Sequence, residues 1–256
     1  MEYYIDTPSL IEYIPYQLEQ KGSDDMFICH YTPDIVNFDR VAENIKFCVL
    51  IKQKQAVDHL TFAAGVFDWH DYLDDNDDIK PEFKNYYSDL IHSAQVFHDY
   101  AIRGAKLECI ADEGKAGAEY YFSPLFNVMW ETSFAMEWYL GEGVGYLPAL
   151  LKMVLLRTKF NRALNLESHH FLDDEQIFDI LDYESSFDIK SDAFEFSLPE
   201  VSLLALMNEK SVRNATHKTK PEVDRLITHK VKGRTYVSPP NLAAWLKKRR
   251  SFRFTE

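Results

Sequence analysis

Residues Ser197 to Lys218 read SLPEVSLLALMNEKSVRNATHK, and the fold turns on how this stretch divides. Ser197-x-x-Glu200 is a capping box, in which the serine hydroxyl accepts from the glutamate N–H and the glutamate side chain reaches back to the serine N–H. Pro199 falls inside the first turn, where its missing N–H does no harm. Val201, Leu204 and Ala205 then recur at i, i+3 and i+4, the spacing of one buried helix face. That helix is predicted to stop near Met207-Asn208. Asn208 is a second N-cap and predicts a helix from 208 to about 218, with Val212 and Ala215 inward. Its outward positions are Lys210, Ser211, Arg213, Asn214, His217 and Lys218. Two short helices joined by a short turn form the arrangement that sets the second helix into a major groove of DNA.

The chain that follows has the pattern of a hairpin and a last helix. Leu226 to Val231 and Arg234 to Val237 are β-rich runs separated by Lys232-Gly233, with Gly233 supplying a positive φ. Pro239-Pro240-Asn241 ends the second strand, and Leu242, Trp245 and Leu246 recur on one face of the final helix. Lys247, Lys248, Arg249 and Arg250 close that helix, where cations favour a C-terminus.

Charge is divided along the chain in the same way. The formal net charge of the 256 residues is −13. Lys210 to Glu256 holds 13 Lys/Arg against Glu222, Asp224 and Glu256, a net of +10, which leaves −23 on the preceding 209 residues. Such asymmetry marks one part that meets a polyanion and one that does not. A plain solvated basic tail has no reason to carry the regular apolar positions interleaved here.

The acidic part, residues 1 to 190, reads as mainly helical. Thr7-Pro8 looks like a helix start that Pro15 limits. Phe38 to Leu73 has helical apolar spacing with a break expected near Gln53 to Gln55. DDNDD (Asp74–Asp78) is a charged loop before a helix from near Pro81 to about Arg103. Ser123-Pro124 opens another helix, reaching Leu140. GEGVG separates it from one spanning about Leu147 to Leu164, and Asp173-x-x-Gln176 caps a last short one. The fold class is thus mainly α, an acidic helical part at 1–190 followed by a small unit at 191–256. The 46% hydrophobic composition suffices for a substantial core. The acidic N-terminus lacks the basic region of a signal peptide, and Glu131, Glu137, Glu142 and Lys152 interrupt the most apolar stretch, which speaks against a membrane span. Cys29, Cys48 and Cys109 form no CxxC and suit a reducing compartment.

The order capped helix, turn, second helix, hairpin and Trp-containing helix, carried by PEVSLLALMNEKSVRNA and KGRTYVSPPNLAAWL, resembles the winged helix-turn-helix of phage excisionases and MerR-like regulators. The resemblance covers about the last 60 residues. It implies a DNA-binding unit in which Arg213 and Asn214 read bases, since Arg suits guanine O6/N7 and Asn suits adenine N6/N7. Lys210, Ser211, His217 and Lys218 would line the groove edge. Lys230, Lys232 and Arg234 on the hairpin, with Lys247, Lys248, Arg249 and Arg250, would contact phosphates. Leu206 stands where such a turn often has glycine, which predicts a different turn conformation. Thr219 to Arg225 is longer than in compact excisionases.

No catalytic, metal or cofactor pattern competes with this reading. His169 and His170 are adjacent and project about 100° apart on a helix, unsuited to one ion. His59, His70, His92 and His98 lack the H-E-x-x-H or E-x-x-H spacing. Asp74-x-Asn76-x-Asp78 has Ile79 where a calcium loop needs glycine. The function expected is sequence-specific binding of double-stranded DNA, for transcriptional regulation or recombination control, in the cytoplasm at a bacterial nucleoid. The helical part would mediate homodimerisation or bind a protein partner. The alternatives are a nucleic-acid-processing helical enzyme delivered by the basic unit, and a protein-interaction module that does not bind DNA.

Overall fold

Helix α1 (Phe38–Val57) buries Val41, Ile45, Cys48 and Val49, a stripe at i, i+4, i+7 and i+8. The structure, a computed structural model, describes residues 37–57, 78–107, 117, 120–129, 132, 146–166, 195–231, 233–249 and 252–255. The break expected near Gln53 to Gln55 does not fall at those residues, since the helix runs through them to Val57. Gln53, only 4% exposed, uses its amide as a bracket: its Oε1 accepts from the Lys80 N–H at 2.8 Å and its Nε2 donates to the Asp78 carbonyl at 3.4 Å. A polar residue inside α1 therefore anchors the approach to the next helix.

That approach passes through a 3-10 turn (Pro81–Phe83) into α2 (Lys84–His98), which continues as a π-helical turn (Asp99–Arg103). The helix expected from near Pro81 to about Arg103 is found, with its last turn widened. Gly104, at φ 75°, ends it, and a Cβ there would lie 2.5 Å from the Phe254 carbonyl oxygen. Glycine is required at this point by both backbone conformation and space.

A third helix, α3, includes 120–129, and Ser123-Pro124 lies inside it rather than at its start. Helix α4 (Tyr146–Ala163) lies close to the span read from the sequence. It touches α1, α2, the π-helical turn and the C-terminal elements, and is buried on every side, with Leu147, Leu150, Val154, Leu156 and Phe160 at 0% exposure. Such a helix is the centre of a core rather than a surface. The helix starts at Thr7 and Asp173, the DDNDD and GEGVG loops up to Asp77 and Val144–Gly145, and most of the 184–196 boundary lie outside the described residues.

The C-terminal elements are β1 (Phe196–Ser197), α5 (Leu198–Leu204), α6 (Glu209–Ala215), β2 (His229–Val231), β3 (Arg234–Val237) and α7 (Pro239–Leu246). The strands form an antiparallel sheet in the order β1-β3-β2, with Lys230 opposite Thr235 and Phe196 opposite Val237. Two residues make a strand too short to read from a sequence, and β1 was not expected. The capping box forms: Glu200 N donates to Ser197 Oγ, and Ser197 N donates to Glu200 Oε2 at 2.5 Å. Pro239 and Pro240 begin α7 rather than merely ending β3, because proline at the first helical positions forfeits no backbone bond.

One apolar core joins these elements to α4. Phe160 meets Phe196, Phe252 and Phe254 at ring-centroid separations of 6.0, 5.4 and 6.0 Å. Lys159 Nζ donates to Glu200 Oε1 at 2.7 Å, so the same carboxylate caps α5 and pairs with α4. The last residues, 252–255, return to the helical part. Arg157, 1% exposed, donates to the Arg253 carbonyl and lies 4.4 Å from the Phe252 ring centroid, while Asn161 Nδ2 donates to Thr255 Oγ1 at 2.9 Å.

Candidate nucleic-acid interface

Helix α5 ends by placing Leu206 at φ 52°, in the left-handed region. Met207 N donates to the Ser202 carbonyl and Leu206 N to the Leu203 carbonyl, at 2.9 and 3.0 Å, which is the bonding of a Schellman motif. The different turn conformation anticipated for a leucine is therefore not adopted. Leucine takes the glycine-like conformation and keeps its side chain against the core. The turn then delivers Asn208, whose Oδ1 accepts from Ser211 N at 2.8 Å and starts α6.

Val212 and Ala215 of α6 are buried, while Lys210, Arg213 and Asn214 are exposed. Ser211 is half-buried. The helix stops at Ala215, three residues short of the expected end, because the Ala215 carbonyl accepts from Leu226 N at 2.9 Å as the chain crosses the helix terminus. Thr216 closes it, its Oγ1 donating to the Arg213 carbonyl at 2.8 Å. His217 and Lys218 are exposed but lie beyond the helix, in the turn leading to the loop before the hairpin. Arg213 is held from one side: its Nε donates to Glu209 Oε1 at 2.8 Å and its Nη2 to the same oxygen. Sequence reading gave Glu209 no role, although its spacing of four residues from Arg213 is the signal for such a pair.

On the hairpin, Lys230 is exposed, Arg234 is half-buried, and Lys232 lies outside the described residues. Gly233 has φ 85°, as its place between the strands requires. His229 Nε2 lies 2.7 Å from Glu195 Oε1, which ties the base of β2 to the residue before β1.

The terminal basic cluster is placed differently from expectation. Helix α7 ends at Leu246 with Lys247 as its cap, so the cluster follows the helix instead of forming its last turn. The chain must turn there to bring Phe252 back to the core. Lys247 is exposed, and Lys248 Nζ donates to the Val223 carbonyl. The Arg249 guanidinium lies 4.2 Å from the ring centroid of Trp245, and Arg250 lies outside the described residues. Trp245 and Leu242 are buried core residues. The arrangement thus presents an open α6 face carrying Lys210, Arg213 and Asn214, with further cations of which several are already tethered.

Among the described residues no group of three or more His, Cys, Asp or Glu is placed to hold a metal ion, and no helix is long and apolar enough to cross a membrane. His92 packs edge-on to Tyr121 and His98 to Phe38, whereas His59, His70, His169 and His170 lie outside the described residues. The class reached at this point is a mainly helical protein with a small C-terminal sheet and an exposed basic helix. No family model matches the chain, and no curated protein or solved structure matches it.

Proposed function

We propose that this chain binds double-stranded DNA in a sequence-dependent manner, serving transcriptional regulation or recombination control at the nucleoid. On this reading the elements from β1 to α7 are a winged helix-turn-helix, with α6 in the major groove and the β2–β3 hairpin against the flanking backbone. The observation that carries it is the division of α6: Val212 and Ala215 are sunk in the core while Lys210, Arg213 and Asn214 stand in solvent. Arg213 offers paired donors to guanine and Asn214 a donor and an acceptor to adenine, Lys210 and Lys218 line the groove edge, and Lys230 and Lys247 supply sequence-independent phosphate contacts. The strongly acidic remainder must face away from the duplex, since charges within about 8 Å would oppose binding at physiological salt. That part is assigned to homodimerisation or to a protein partner.

The test is an anisotropy titration of the full chain against random and selected duplexes at several salt concentrations. Neutralising six phosphates gives a slope of log affinity against log salt of about −5. Arg213→Ala and Asn214→Ala each lower selectivity by about 1–3 kcal/mol at one position with little loss of general affinity, whereas Lys230→Ala weakens all duplexes alike. A second reading is favoured by Val223 and Ile227, apolar residues left 63% and 44% exposed after α6: the same unit would then dock on a protein. Absent or salt-insensitive DNA binding is its signature.

A further inference from the structure

Arg213 is not a free cation waiting for a base. A guanidinium has two hydrogen-bonding edges, one made by Nε and an Nη, the other by the two Nη groups. Glu209 Oε1 accepts from Nε and Nη2, and so takes the first edge. The edge that remains still carries two parallel donors, which match O6 and N7 of guanine. Glu209 is the first residue of α6 and Arg213 lies one turn later, in the last turn of this seven-residue helix, so the pair spans the exposed face that the DNA-binding reading sets into the groove.

Stability gives no reason for this pair. Its side chains are 63% and 39% exposed, and exposed pairs at this spacing add little to a folded protein. A carboxylate beside a surface meant for phosphates also weakens general DNA affinity by repulsion.

We propose that Glu209 is a positioning residue that fixes the specificity of Arg213 for guanine. This rests on the DNA-binding reading of α6. The tether removes rotamer freedom from Arg213 before binding and aims its outer edge into the groove. At a matched guanine, Arg213 keeps Glu209 and gains the base. At any other base the repulsion between carboxylate and phosphate, common to all sites, is not offset by a matched contact, so binding elsewhere stays weak.

Two variants separate these effects. Glu209→Gln removes the charge, and Glu209→Asp keeps the charge on a side chain one methylene shorter, which draws the carboxylate back from the position that holds both Nε and Nη2 of Arg213. The base contacted by Arg213 is first located as the position where Arg213→Ala loses preference in a selection from randomised duplexes. Preference for guanine there should fall about tenfold in both Glu209 variants. Affinity for random duplex should rise several-fold in Glu209→Gln alone, with the thermal midpoint of both variants close to that of the unmutated chain. If the unmutated chain selects a duplex and both variants keep its guanine preference, the inference is overturned while DNA binding stands. If the unmutated chain shows no preference among duplexes, the DNA-binding reading falls and the inference falls with it.

Discussion

Leu206 holds a left-handed backbone conformation without being glycine, at a cost of about 1–2 kcal/mol, because its side chain is packed against the core. Leu206→Val keeps an apolar side chain but adds a β-branch that this conformation tolerates poorly; it should lose about 1–2 kcal/mol in urea unfolding. Leu206→Gly trades strain for packing and should come out within about 1 kcal/mol of the unmutated chain. A valine variant as stable as the glycine one would mean that the turn is not held left-handed. Cys48 is buried completely, and burial pushes its thiol up to about 11 from an ordinary 9.0. The unfolded chain therefore ionises first. Stability from this group is intact below pH 9 and is lost as pH rises from there toward 11. In Cys48→Ala, unfolding free energy should fall less steeply across that window, and an unchanged slope would contradict the burial. In the native protein at neutral pH the same thiol should resist alkylation.

At the scale of elements, capping residues were the most legible feature. Ser197, Glu200 and Asn208 announced the starts of α5 and α6 through local chemistry alone, and each forms the bond its type predicts. Helix ends were less legible, since α6 is stopped by Leu226, eleven residues on in sequence, and α7 by the need to return Phe252 to the core. The capping box also has a second partner that no local pattern announces. Ser197→Ala removes one cap and should cost about 1 kcal/mol. Glu200→Ala removes the cap and leaves Lys159, which is 7% exposed, without its carboxylate, so about 3 kcal/mol or more is expected. Equal losses in the two variants, measured by denaturant unfolding, would show that the Lys159 contact contributes nothing.

For the whole molecule, Phe160 is the residue to test, because α4, β1 and the returning terminal segment all meet on its ring. Phe160→Ala should cost about 3–5 kcal/mol. Tryptophan fluorescence and far-ultraviolet dichroism should still report a single shared transition, since both parts lose the same core; separate midpoints in the unmutated chain would refute the shared core. Sequence alone determined the helical character, the two capped helices, the hairpin with Gly233 at its bend and the outward basic positions of α6, because each depends on residues only a few places apart. It also exposed the charge division, which needs no folding to exist. Tertiary structure decided which cations remain available, since Arg213 is held by Glu209, Lys248 by a loop carbonyl and Arg249 by Trp245. It likewise decided that α4 and the C-terminal elements are joined through Phe160, Lys159 and Arg157, which stand 36 or more residues before their partners in the chain. Periodicity marks a residue as buried, but only the packed chain supplies the neighbour it is buried against.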